Sequence, residues 1–306
     1  MATNRFKDRY DAGRRLAVAL ARYRDSAARY EDFGQTSDDE VSRLLAQARG
    51  TTSRRLVTDE DVVLGVDGAH LRGHLTIPSD AIGLVVFAHG SGSSHASRRN
   101  RFVADQLVQS GIGTLLFDLL TPEEADARNN VFDIELLAHR LSLATAWLRA
   151  RPEANTLKIA YFGASTGSAA ALWAAAEATA DIVAVVSRGG RPDLAMDHLG
   201  NVTAPTLLIV GGDDDVVLQL NRAAAAHLRS AFRLEVVPGA SHLFSEPGTL
   251  EAAARLALNW FIDNFAEEYH RKANTSAPLA DADVVVDDLH SRRRPCRGYS
   301  LRARCE

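Results

Sequence analysis

Cysteine is nearly missing from this sequence. The 306 residues hold two, Cys296 and Cys305, both close to the C-terminus, so no disulfide framework can support the body of the chain. Long apolar runs are missing as well. None approaches the roughly 18 residues that suggest a membrane span, and no membrane partner is expected. The opening MATNRFKDRYDAGRR is charged from the start and has no apolar core, so no secretory signal is expected there. Charge of one sign is also lacking. Lys and Arg number 35 against 39 Asp and Glu, a net charge of −4, which gives no electrostatic reason to expect nucleic acid as the main partner. No internal repeat is present. These absences leave a cytoplasmic protein as the expectation.

What is there is ordinary in bulk and informative in order. Hydrophobic residues make up 46% and charged residues 24%, the balance of a globular protein. Three zones separate. Residues 1–55 read as helical: Leu16, Leu20, Tyr23, Ala27 and Tyr30 recur at steps of three and four. A capping-box pattern at Ser37-Asp38-Asp39-Glu40 opens a second helix that stops at Gly50. Residues 56–270 alternate short β-type runs (VVLGV, HLRGHLTI, IGLVVFAHG, GTLLFDLL, LKIAYFG, DIVAVVS, PTLLIVGG, RLEVVPG) with helix-length segments at 98–110, 133–150, 167–179, 217–230 and 249–268. Apolar strands alternating with helices predict a mostly parallel central sheet with helices on both faces. The first two runs have no helix between them and predict an antiparallel start, with Gly65, Asp67 and Gly68 supplying the turn. Residues 271–306 are acidic and then carry six arginines in SRRRPCRGYSLRARCE, which reads as a disordered basic tail. A contact of that tail with an acidic partner or nucleic acid is the minor alternative.

The chemistry centres on YFGASTGSAAALWAAA, residues 161–176. A Gly-x-Ser-x-Gly string is weak alone, but here it joins an apolar strand to an alanine-rich helix. That strand–turn–helix setting makes a nucleophile elbow, with Ser165 at the amino end of the helix. A competing reading is packing, with Gly163 and Gly167 letting the helix sit close to the strand. A serine nucleophile requires a base and a carboxylate further along the chain. They occur in order: Asp213, Asp214 and Asp215 follow PTLLIVGG, and His242 follows RLEVVPGAS. Spacing does not choose among the three aspartates. The oxyanion formed on attack needs two backbone N–H donors, assigned to Thr166 and to Ser91 in the strand-ending loop HGSGSS. His89 in that loop is a candidate substrate contact or a loop brace. Arg188 and Arg191 past a later strand end could meet an acidic substrate group or be held in salt bridges. His70 and His74 share a strand face and read as surface residues, and no metal or organic cofactor is expected.

VVFAHGSGSS, LLFDLLTPEE, YFGASTGSAAAL, VVSRGGRPDL, PTLLIVGGDDDVVLQLN and VVPGASHLFSEPG, spread over about 200 residues, together resemble the α/β-hydrolase superfamily, in its dienelactone-hydrolase-like branch of small, lidless enzymes. The resemblance implies an α/β-hydrolase fold with Ser165 as nucleophile, His242 as base and Asp214 as its orienting acid. Asp214 is chosen by the family pattern of a strand ending in Gly-Gly-x-Asp. Dienelactone hydrolases proper use a cysteine nucleophile, and no cysteine precedes residue 296. Residues 4–23 are similar to the start of phosphoribosyltransferase domains. That family's acidic strand and Thr/Gly-rich phosphate loop are absent before Leu56, so no transferase activity is expected. Between Ser187 and Pro205 lie 17 residues, too few for a large lid. The open site suits small carboxylic esters or thioesters as substrates. A peptidase or acyltransferase on the same residues, or a non-catalytic binding protein with this fold, are the alternatives.

Overall fold

The apolar runs of the middle zone become strands wherever both of their faces can be covered. Every residue of β3 (Leu84–Ala88), β4 (Gly113–Phe117), β5 (Ile159–Ala164) and β7 (Thr206–Gly211) is buried. Such strands need helices above and below. The structure is a computed structural model describing residues 54–177 and 181–275. With β1 (Leu56–Val66), β2 (Ala69–Pro78), β6 (Ile182–Arg188) and β8 (Phe232–Val237), the strands form one eight-stranded sheet in the order β1-β2-β4-β3-β5-β6-β7-β8. β2 runs antiparallel to both β1 and β4, and every other pair is parallel. This is the mostly parallel sheet with an antiparallel start expected from the alternation, and the fold that the resemblance to α/β-hydrolases implies.

Two apolar layers hold the sheet. On one face α4 (Ile134–Arg149), α5 (Thr166–Ala176), a 3₁₀ segment (Pro192–Asn201) and α6 (Asp215–Ala225) cover a core that includes Leu71, Val86, Tyr161 and Leu208. On the other, α1 (Arg98–Gln109) and α7 (Thr249–Thr275) bury Val103, Leu107, Phe261 and Phe265 against Phe87, Phe162 and Ile209. Helix α5 is enclosed nearly all round, and its run of alanines fits that crowding.

Two details depart from expectation. Gly65 lies inside β1, opposite His70, and the turn is Asp67-Gly68 alone. Both residues have positive φ (51° and 75°), the two-residue hairpin geometry whose twist matches the strands. Two short helices, α2 (Pro122–Ala125) and α3 (Arg128–Val131), fill the 118–133 stretch, too brief to show as a helical period. Arg140 of α4 holds this stretch, donating to Glu124 at 3.0 Å and to the Val66 carbonyl at 2.8 Å. The helices expected before residue 54 and the basic tail beyond 275, with both cysteines, lie outside the described residues. Among those described, no helix is long and apolar enough to cross a membrane.

His74 sits between two carboxylates of the neighbouring strand. Its Nδ1 meets Asp61 and its Nε2 meets Asp59, each at 2.9 Å. Burial lowers its pKa, but the hydrogen bonds and charges of Asp61 and Asp59 outweigh that and raise it above the ordinary histidine value. A raised folded-state pKa contributes stability that is complete below the unfolded value, near 6.5, and is lost as pH rises through the folded one. Solvent reaches all three side chains, so the contribution stays under about 1 kcal/mol. His74→Asn is therefore expected to be less stable than the parent at pH 6 and nearly equal to it at pH 9. Urea denaturation at both values reads the gap; a gap independent of pH would contradict the ion-pair account.

Candidate active site

The site is built on the passage from β5 into α5. A Cβ on Gly163 would collide with the Ser168 backbone, and one on Gly167 with the carbonyl oxygens of Ala88 and His89. The two glycines thus let the helix press against the ends of β3 and β5, so the packing role is present whatever else the turn does. Squeezed between them, Ser165 takes φ 51° and ψ −122°, a conformation that L-residues rarely adopt. Backbone bonds pin it there: its N–H donates to the Arg188 carbonyl at 3.2 Å, and its own carbonyl accepts from Ser168 and Arg191 at 3.1 Å each.

Strand ends bring the other groups to this point. Asp214 follows β7 and His242 follows β8. The Asp214 carboxylate accepts from His242 Nδ1 at 2.7 Å, and His242 Nε2 lies 3.3 Å from Ser165 Oγ. A carboxylate only accepts, so Nδ1 carries the ring proton and Nε2 is left to accept from the serine hydroxyl. Of the three aspartates that spacing left open, Asp214 is the one bonded to His242. Glu246 braces the histidine loop: its carboxylate accepts from Ser241 N–H at 2.9 Å, and the hydrogen bonds around it push its pKa down to about 2. Sequence reasoning missed Glu246, since nothing local distinguishes it from a surface glutamate.

The loop after β3 carries Ser91 beside Thr166. Thr166 N–H is in the first turn of α5, where helical partners are lacking. Ser91 N–H donates to Thr166 Oγ1 at 2.9 Å, so a substrate oxygen reaching that amide must take the threonine hydroxyl's place. The loop is fastened to the end of β4 twice. His89 Nε2 accepts from Leu119 N–H at 3.1 Å while Nδ1 donates to the Gly90 carbonyl, which spends both ring nitrogens on the backbone. Burial pushes the His89 pKa down and keeps the ring neutral. Asp118 accepts from the backbone N–H of His95 at 2.7 Å and pairs with its ring at 2.9 Å. Beyond Ser91 and Thr166 a cavity of about 600 Å³ opens, with Leu119, Leu120, Pro122, Val131 and Phe132 supplying much of its apolar surface and Asp118, Asp126 and Arg128 also on its wall. The two arginines differ: Arg191 is held by Asp193 through two bonds of 2.9 and 2.8 Å, whereas Arg188 is buried without a carboxylate partner among the described residues. Among the described residues no cluster of His, Cys, Asp and Glu is suited to hold a metal ion.

A chain with this sheet and this serine–histidine–aspartate corner is an α/β-hydrolase, and residues 81–269 match the family model described as an alpha/beta hydrolase domain. The chain belongs to that family. Within it the chain is dienelactone-hydrolase-like: it is 54% identical to a dienelactone hydrolase from Anabaena variabilis whose crystal structure superimposes with a TM-score of 0.66, covering 68% of this chain and 98% of that one. A lidless serine hydrolase of Xanthomonas campestris, 20% identical, shares the fold with a TM-score of 0.54 over 65% of this chain and 94% of its own. A Mycobacterium tuberculosis protein carrying the provisional name phosphoribosyl transferase is 55% identical over 244 residues, 77% of this chain. The chain spans about half the length of that relative, 55%.

The elbow predicts two stability effects. Gly167→Ala is expected to lower stability by about 1–3 kcal/mol, because backbone oxygens cannot yield to the new methyl group. An unchanged urea midpoint would mean that helix and strand part freely. Ser165→Gly is expected to be more stable than Ser165→Ala by about 1 kcal/mol, since glycine relieves the backbone strain that alanine keeps. Equal midpoints would show that no strain is stored there.

Proposed function

We propose that the protein is a serine hydrolase that cleaves small carboxylic esters or thioesters through an acyl-enzyme on Ser165. The observation that carries this reading is the continuous hydrogen-bonded line from Asp214 through His242 to Ser165, on a strained turn at a helix amino end. In the first half-reaction Ser165 Oγ bonds to the substrate's carbonyl carbon while its proton passes to His242 Nε2. Asp214 fixes the ring orientation and stabilises the imidazolium. The negative charge moves to the carbonyl oxygen, which Thr166 N–H and Ser91 N–H receive once the Thr166 hydroxyl has turned aside. As the carbonyl re-forms, the C–O or C–S bond breaks and the leaving group takes the proton from His242. Water then repeats the sequence on the acyl-serine and frees the acid.

The name of the Anabaena relative, dienelactone hydrolase, supports ester chemistry for this chain. Serine in place of a cysteine nucleophile argues against dienelactone itself as the substrate. The apolar cavity behind Ser91 and Thr166 suits the hydrocarbon part of a small ester.

A fluorophosphonate probe and 4-nitrophenyl acetate test the proposal together. The parent protein is expected to label once per chain and to release nitrophenol. Ser165→Ala is expected to abolish labelling and to reduce turnover by about 10³-fold or more. A folded parent that neither labels nor turns over would overturn the catalytic reading and favour a binding protein with this fold.

A further inference from the structure

A second cavity, of about 220 Å³, lies on the other side of Ser165 and differs in chemistry from the apolar one. Ser165 and His242 contribute to it, as do Ser97, Arg99, Asn100 and Arg188. Arg188 ends β6 directly beside Ala164, so its side chain rises next to the elbow. Only 7% of the residue is exposed. Nη2 donates to Asn100 Oδ1 at 3.2 Å, Nη1 has no hydrogen-bond partner among the described residues, and the guanidinium lies 5.7 and 5.9 Å from the ring centres of Phe162 and Phe244. Burial, with a lesser contribution from the charge of Arg99, pushes its pKa down to about 10, which still leaves a cation at neutral pH. Among the described residues no carboxylate offsets it.

A buried cation without a carboxylate partner is costly, and one neutral hydrogen bond and two ring contacts offset only part of that cost. Arg191, on the same loop, shows that a carboxylate can be supplied here: Asp193 satisfies it. The surroundings of Arg188 add positive potential. The twelve-residue helix α1 begins at this cavity with Arg98 and Arg99 and no acid in its first turn, and Ser97 caps only the Asn100 N–H. The remaining first-turn N–H groups and the positive end of the helix dipole favour an anion there.

We propose that this cavity is a subsite for an anionic group of the substrate, a carboxylate or a phosphate, gripped by Arg188 and Arg99 at the amino end of α1 while the scissile carbonyl lies on Ser165. The inference rests on the serine hydrolase reading and narrows it. The substrate is an ester or thioester bearing a negative charge a few bonds from its carbonyl, and the apolar cavity receives the remainder.

Two chromogenic esters of similar length test it, 4-nitrophenyl hemiglutarate and the neutral 4-nitrophenyl hexanoate. The parent is expected to favour the charged ester in kcat/KM by about tenfold or more, the range of one charge-assisted hydrogen bond. In Arg188→Met that ratio should collapse towards one, with Arg188→Lys and Arg99→Ala between. Inorganic phosphate and glutarate as competitive inhibitors distinguish the two anions. A parent ratio near one, or a ratio that Arg188→Met leaves unchanged, would overturn the subsite while hydrolysis of the neutral ester upholds the esterase. If neither ester turns over and Ser165 does not label, the esterase reading fails, and calorimetry with phosphate and glutarate decides the subsite alone: binding lost in Arg188→Met upholds it, and no binding overturns it. Circular dichroism checks each variant's fold. Should Arg188→Met not fold, Arg188→Lys and Arg99→Ala carry the same comparison.

Discussion

The close approach of α5 to the ends of β3 and β5 is the constraint on which the site depends. Gly163 and Gly167 have no Cβ because backbone atoms of Ser168, Ala88 and His89 stand where those carbons would be. With strand and helix that near, the chain has one residue in which to reverse, and Ser165 absorbs the turn in a strained conformation. Packing and exposure of the serine are therefore one event. The alternative roles weighed for the glycines are not exclusive, since the contact that needs small residues is what lifts the serine out of the sheet.

Loops from three other strand ends must meet that serine, and hydrogen bonds help to fix each of them. The β3 loop is tied to the end of β4 through His89 and Asp118. The β8 loop is held by Glu246, and its Phe244 takes a left-handed backbone (φ 54°) while burying its ring. Asp214 starts α6 without capping it, because its carboxylate is committed to His242. A carboxylate that leaves the helix's first N–H groups unserved forgoes capping energy of about 1 kcal/mol. Here local helix stability yields to the orientation of a ring.

Much of this was legible in the sequence, for identifiable reasons. Ser165 follows a strand buried on both faces and His242 follows the edge strand β8, and parallel strands deliver their carboxyl ends to the same edge of the sheet. The linear order of motifs then becomes proximity in space. Asp214 could not be picked from its neighbours by spacing, because three consecutive aspartates leave a turn in different directions that only the backbone decides. Arg188 was visible as an arginine past a strand, but its lack of a carboxylate was not. Its contact Asn100 is 88 positions away, and the absence of a partner is a property of the assembled surroundings. The helices α2 and α3 have four residues each, shorter than any periodicity can register, yet they help to wall the apolar cavity.

The two cavities share Gly90, Ser91 and Ser93, so one loop separates an apolar chamber from a cationic one. That loop also holds the Ser91 amide, and its anchors to β4 leave it little freedom to slide. Its position therefore fixes three things at once: the donor beside Thr166, the depth of the apolar chamber, and the reach from Ser165 to Arg188. A ligand satisfying both chambers must place its carbonyl between them. Stabilising the charge of Arg188 and aligning a reacting carbon would then be the same binding event. Ground-state binding energy at the guanidinium can in this way be spent on orientation at the serine, where a shift of about 1 Å costs roughly 10²-fold in rate. An uncompensated cation is a liability for folding; beside a strained serine it is a means of positioning.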